Sequence, residues 1–216
     1  MTKITIVTAA DINFKEMSDA CVSSVRSFGY DVLLYDLGNL GKGKPFNARI
    51  SELEGAKIPS KPFIILDAIN DIFDNDILVW LDADTIMWDR IDDIDIPYDI
   101  GVTMRSKSAG AQFPINAGVL FFRKTSATLN FLKFWSKKCS EGYSDQKELN
   151  LICNANSSQP GSTLVVKNTQ IKLFDCGTYN NFYFKKSQLQ AKIIHYKSKH
   201  RDQWPHRNEQ HSKISK

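Results

Sequence analysis

No C-x-x-C pair occurs among these 216 residues, and the four cysteines, Cys21, Cys139, Cys153 and Cys176, lie far apart. That scatter argues against a zinc ribbon or a disulfide frame and reads as reduced cysteine inside a cytosolic protein. No apolar run is long enough to span a bilayer, and the N-terminus lacks the pattern of a secretory signal. The chain as written therefore reads as soluble and cytoplasmic, with membrane attachment left to any segment beyond it. A phosphate-binding P-loop is missing too. Gly41-Lys42-Gly43-Lys44-Pro45 fails the G-x-x-x-x-G-K-[ST] spacing, and no strand leads through it into a helix. Neither internal repeats nor an interdomain linker are visible.

What is present is ordinary for a globular protein: 42% hydrophobic and 24% charged residues. The length suits one large domain or two small ones and allows a substantial core. The formal net charge of +4 is unevenly spread, with acids gathered in residues 67–99 and Lys, Arg and His in residues 185–216. The basic stretch lacks the regularly interleaved aromatics of single-strand binders, so no nucleic-acid partner is expected. It reads as a phosphate-facing rim or as a solvated terminus.

Strand and helix patterns alternate along the chain. Residues 4–8 form a short apolar strand, and Met17, Cys21, Val25 and Phe28 then recur at helical spacing up to a terminating Gly29. A strand over 32–35 and a glycine-bearing loop over 37–47 follow. Ser60 as N-cap and Pro62 in the first turn open an apolar helix through Phe73. Further strands are expected at 77–81, 100–104, 118–122, 171–174 and 192–196, with helices at 126–139 and 145–152. This alternation predicts an α/β fold with a mostly parallel central sheet, helices on both faces, and a mixed C-terminal half. One domain over 1–207 is expected, with 208–216 as a polar tail or the start of a linker.

The strand at 77–81 runs into Asp82-Ala83-Asp84-Thr85. Inside a core these carboxylates would lose their water at high cost. At the carboxyl end of a sheet strand, where open α/β folds bind ligands, acids at i and i+2 can converge on one divalent cation. Without a ligand the same residues make a solvated turn. The D-x-D-x-T frame of haloacid-dehalogenase phosphatases does not fit, because Thr85 comes one position early and Ile86 stands in its place. A sugar-1-phosphate nucleotidyltransferase would need a glycine-rich, basic loop after strand one, and residues 9–14 hold neither glycine nor lysine.

Five blocks occur in order. They are Thr8-Ala9-Ala10-Asp11-Ile12-Asn13-Phe14; Leu81-Asp82-Ala83-Asp84; Ile115-Asn116-Ala117-Gly118-Val119-Leu120; Ser144-Asp145-Gln146 with Asn150; and His195-Tyr196. Together they resemble GT-A glycosyltransferases, especially glycosyltransferase family 8, across nearly the whole chain. The resemblance implies transfer of a sugar from a UDP-sugar (glucose, galactose or a deoxysugar such as rhamnose) to an acceptor hydroxyl, expected on a glycan. It implies Asp82, Asp84 and His195 as ligands of Mn2+ or Mg2+, with His195 otherwise a core histidine after an apolar strand.

The same resemblance places Thr8, Ala9, Asp11 and Asn13 at the uracil and ribose, with helix capping as the other reading of Asp11. Lys61, Asp82 and Ala83 join the donor site, and Asn116, Ala117 and Gly118 line the sugar pocket, their small side chains permitting close approach. Asp145, Gln146 and Asp84 are the catalytic candidates. Family 8 continues its histidine as H-x-x-G-x-x-K-P-W; here Ser198 replaces the glycine and Arg201 the lysine, so Arg201 is a candidate diphosphate clamp, with Lys199 and His200 competing for that role. Retention of configuration is favoured. An inverting transferase with Asp145 as base, and a nucleotide-sugar-binding module without turnover, stand as alternatives. The chain is also read as the N-terminal catalytic domain of a longer bacterial or viral enzyme.

Overall fold

A computed structural model describes residues 2–37, 60–106, 113–141, 144–182 and 190–196. Its strands are β1 (Ile4–Ala10), β2 (Asp31–Asp36), β3 (Ile77–Leu81), β4 (Thr85–Met87), β5 (Ile100–Met104), β6 (Ile115–Arg123), β7 (Thr163–Val166), β8 (Thr169–Asp175) and β9 (Ile193–His195). Its α-helices are α1 (Lys15–Ser27), α2 (Ser60–Ala68), α3 (Ser126–Glu141), α4 (Asp145–Cys153) and the short α5 (Cys176–Tyr179).

Seven strands form one sheet in the order β2-β1-β3-β6-β5-β8-β7, while β4 and β9 pair beside it. The β1–β2, β1–β3 and β5–β8 pairings are parallel; β6 runs against β3 and β5, and β7 against β8. Five of the seven strands thus point one way, as expected of an α/β fold whose second half is mixed. Central strands with both faces covered read as unbroken apolar runs, and β3, Ile-Leu-Val-Trp-Leu, is buried at every position. Its side chains alternate between two cores. Ile77, Val79 and Leu81 join Cys21 and Val25 of α1, while Leu78 and Trp80 meet Ile65 of α2, Trp135 of α3 and Leu149 of α4.

β3 and β5 have the bounds expected of them, and α1 ends at the positive-φ Gly29. Elsewhere local hydrogen bonds shift the boundaries. The helix expected through Phe73 stops at Ala68 and tightens into a 3₁₀ turn over Ile69–Asp71. Asn70 Nδ2 takes up the Leu66 carbonyl at 2.9 Å, and Phe73 emerges 80% exposed. Ser60 is the first residue of α2 and not its N-cap. β6 starts at Ile115, three residues before the expected strand, and α3 extends to Glu141. β4, β7 and α5 were not expected; each is four residues or shorter, too brief for periodicity to register. Apart from Leu37, the loop expected at 37–47 lies outside the described residues, as do most of the basic stretch 185–216 and the tail 208–216.

Candidate metal and donor site

Beyond β3 the chain turns at once, Thr85 N–H donating to the Asp82 carbonyl at 3.1 Å, and leaves as β4. β4 pairs antiparallel with β9, setting Thr85 opposite His195, and the Tyr196 N–H closes on the Asp84 carbonyl at 2.8 Å. This ladder delivers a histidine from the far end of the described chain to two aspartates on the turn. His195 Nε2 lies 3.0 Å from Asp84 Oδ1 and 3.9 Å from Asp82 Oδ2. One ligand atom from each of the three residues falls within 4.8 Å of the others. Asp84 and His195 are buried, and Asp82 is partly open to solvent. Two carboxylates and an imidazole form a donor set that can hold a divalent cation.

Strand β6 shapes the floor. Val102 of β5 pairs with Leu120, but the next residue, Thr103, pairs with Asn116, so β6 bulges over residues 117–119. The Thr103 hydroxyl ties the base of the bulge, reaching the Asn116 carbonyl at 2.9 Å and the Val119 carbonyl at 3.2 Å. Gly118 sits on its crest, accepting the Asp82 N–H at 2.9 Å. A Cβ there would fall 2.6 Å from His195 Nδ1 and 3.2 Å from Asp82 Oδ2. The imidazole of His195 thus packs directly against this glycine.

Lys61, on the first turn of α2, joins the metal side to the start of α4. Its ammonium reaches Asp82 Oδ1 at 2.8 Å, Asp145 Oδ2 at 3.1 Å and the Ala117 carbonyl at 2.9 Å, and it stands 5.4 Å from the Trp80 ring centre. Burial opposes its charge, but Asp145 and Asp82 outweigh that and hold its pKa above the usual lysine value. Trp80 Nε1 also donates to Asp82 Oδ1, at 2.8 Å.

At α4, Ser144 caps the Lys147 N–H and Asp145 Oδ1 accepts the Gln146 N–H at 2.7 Å. Gln146 Oε1 accepts the Ala117 N–H at 3.3 Å. Asn150 pins this helix to the sheet: its side chain takes the N–H and the carbonyl of Ile115, both at 2.9 Å, and the Gln146 carbonyl at 2.8 Å. Asn116 Oδ1 accepts the Gly118 N–H, while its buried Nδ2 finds no hydrogen-bond partner among the described residues.

The candidates near β1 are arranged differently. Thr8 and Ala9 are buried within the strand. Asp11 caps the short 3₁₀ turn Ile12–Phe14, its carboxylate accepting the Asn13 N–H at 2.8 Å, so the capping reading of Asp11 is realised. A cleft of about 300 Å³ opens there, lined by Ala10, Asp11, Ile12, Lys15, Leu34 and Asp36 among others. Ala83 is buried between the two aspartates, and Arg201 lies outside the described residues. Three contributors escaped the sequence reading. Trp80 was detectable, since i and i+2 share a strand face; Thr103, and Asn180 behind His195, carry no local signal.

The model of the nucleotide-diphospho-sugar transferase family matches residues 68–203, more than half of the chain. Among solved structures, a glycosyltransferase involved in glycosylating the major capsid of PBCV-1 superposes with a TM-score of 0.62 at 16% identity, covering 94% of this chain and 99% of that one. Glycosyltransferase GlyE of Streptococcus pneumoniae TIGR4 gives 0.55 at 17% identity, over 92% of this chain and 55% of its own. The galactosyltransferase LgtC, solved with donor and acceptor sugar analogs, gives 0.50 at 15% identity, over 90% and 87%. At these identities the likeness is one of fold, and the fold is GT-A. No match was found among curated protein sequences.

Proposed function

The chain belongs to the nucleotide-diphospho-sugar transferases, and from that premise we propose that it is a metal-dependent glycosyltransferase moving a sugar from a UDP-sugar to an acceptor hydroxyl, in the manner of family 8. The observation that carries this reading is the meeting of Asp82, Asp84 and His195 at the carboxyl end of β3. These residues would hold Mn2+ or Mg2+, which when bound supplies Lewis-acid stabilisation of charge growing on the departing diphosphate. Asp11 and Asn13, with the main chain of Thr8 and Ala9, would face the uracil and ribose beside the cleft at β1. Asn116 Nδ2, without a partner among the described residues, would donate to a sugar hydroxyl, on a wall completed by Ala117 and Ala83.

Retention of configuration is the version that Asp145 supports. One of its oxygens is ion-paired with Lys61 and the other accepts the Gln146 N–H. A carboxylate held this way orients a ligand better than it takes a proton from an acceptor hydroxyl. Lys61, Asp145 and Gln146 thus form the edge that positions the donor sugar, and Arg201 is assigned the diphosphate. Glucose, galactose or a deoxysugar such as rhamnose is the expected cargo, and a glycan the expected acceptor.

Calorimetric titration of UDP with and without Mn2+, into wild type and the Asp82→Ala/Asp84→Ala double variant, tests the assignment. Metal-dependent binding that the double variant loses supports it. A folded wild type that binds no UDP under either condition overturns the UDP-sugar reading. Metal-dependent binding of UDP-sugars without UDP release in the presence of any tested acceptor would favour the binding module.

A further inference from the structure

His195 is held from behind as well as in front. Its Nδ1 lies 2.8 Å from Oδ1 of Asn180, which is fully buried just after α5. Asn180 Nδ2 in turn lies 2.8 Å from the hydroxyl of Thr103, also fully buried. That hydroxyl is the one tying the β6 bulge, and both of its other neighbours, the carbonyls of Asn116 and Val119, can only accept. A threonine hydroxyl carries one proton. With that proton drawn to the carbonyls, Thr103 presents a lone pair to Asn180. Asn180 must then turn its NH2 toward Thr103 and its oxygen toward His195. An oxygen at 2.8 Å from Nδ1 calls for the proton on Nδ1; in the neutral ring Nε2 then turns a lone pair toward the carboxylates of Asp84 and Asp82, an arrangement that a cation between them completes.

We propose that Thr103 and Asn180 are positioning residues that fix His195 as its Nδ1–H tautomer, so that the bulge in β6 dictates which ring nitrogen is offered to a divalent cation. The inference deepens the metal-site reading and rests on it for its consequence, though not for the tautomer itself. Neither residue touches the candidate ligand atoms; both act through His195. The main chain sets both ends of the relay: the Asn180 N–H donates to the Cys176 carbonyl at 3.1 Å, and the His195 N–H to the Asn181 carbonyl at 2.8 Å. Outer hydrogen bonds of this kind commonly change metal affinity 10–100-fold when removed. Gly118 belongs to the same device, since only a residue without a side chain leaves the ring room to lie against the bulge.

The test has two readouts on wild type, Thr103→Ser, Thr103→Val and Asn180→Leu, each checked for folding by circular dichroism. The first is nitrogen-15 NMR of the histidine ring, without metal and at a pH where the ring is neutral. The second is Mn2+ affinity, read from the electron paramagnetic resonance of free Mn2+. The expected result is Nδ1–H in wild type and Thr103→Ser, and a mixture of tautomers in Thr103→Val and Asn180→Leu. Mn2+ binding weakens about 10–100-fold in the last two and stays within about threefold in Thr103→Ser. An Nε2–H ring in wild type, or a folded Asn180→Leu that keeps both tautomer and affinity, overturns the proposal. A wild type that binds no Mn2+ defeats the metal reading, and the NMR result alone then decides the relay.

Discussion

The two ends of the candidate site are built in opposite ways. Around Asp82 and His195, side chains arrive from β3, β6, α2, α4 and β9, and nearly every polar atom is already committed to another member: Lys61 to Asp82 and Asp145, Gln146 to Ala117, Asn180 to His195. Around Asp11, the candidates are near neighbours in sequence at one strand end, and the polar contact joining them, Asp11 to the Asn13 N–H, spans two residues. The first arrangement holds charges and lone pairs in fixed relation, which metal and phosphate chemistry requires. The second can yield locally without disturbing the rest, as the proposed contacts to a base and a ribose would allow.

Four substitutions sharpen or break that contrast, beginning with the strongest. Lys61→Met leaves Asp82 and Asp145 facing each other without their cation. A loss of about 3 kcal/mol in urea unfolding is expected, the low end for breaking a buried ion pair because both carboxylates are partly exposed. The Lys61 pKa lies above its unfolded value of 10.5, so its contribution is complete below about pH 10.5 and fades only as pH rises through the higher folded pKa. Wild-type and variant unfolding curves should therefore differ by a constant amount from pH 6 to 9, a range chosen well below that value. Convergence within that range would contradict the assignment of the ion pair.

Gly118→Ala drives a methyl into His195. Overpacking at this point is expected to cost about 2 kcal/mol in thermal unfolding and to weaken Mn2+ binding at the same time. A variant that loses neither would mean the ring has room to move. Asn150→Ala strips partners from the Ile115 N–H and carbonyl, costing about 2 kcal/mol and loosening α4 against β6. Faster hydrogen exchange confined to α4 and the start of β6 is the signature to look for. Asp11→Ala removes only a cap, with about 0.5–1 kcal/mol at stake, and should weaken UDP binding modestly while leaving Mn2+ affinity untouched. A change in Mn2+ affinity there would show that the two ends are coupled after all.

The same contrast explains what the sequence revealed. Asp82 and Asp84 were legible because an apolar strand running into two acids is a local pattern, and α4 because Ser144 and Asp145 mark a helix start. β3 and β5 were legible because strands covered on both faces are continuous apolar runs. β7 was not, since it is an edge strand with alternating exposure and only four residues. The bulge in β6 escaped for another reason: its register depends on Thr103, 13 to 16 residues away in the chain and visible only after pairing. The fixing of His195 by Asn180 likewise joins residues that become neighbours through α5 and the β4–β9 ladder. Chemistry that depends on residue type at short spacing could be read; chemistry that depends on which carbonyl faces which hydroxyl could not.

In the proposed function, Asp82, Asp84 and His195 together hold the ion that accompanies a UDP-sugar. Crystals grown with Mn2+ and UDP, measured for anomalous scattering at the manganese edge, address it directly. One strong peak is expected within bonding distance of all three side chains and of the UDP diphosphate. Bound UDP with no peak there, or with the manganese held by other residues, would contradict it.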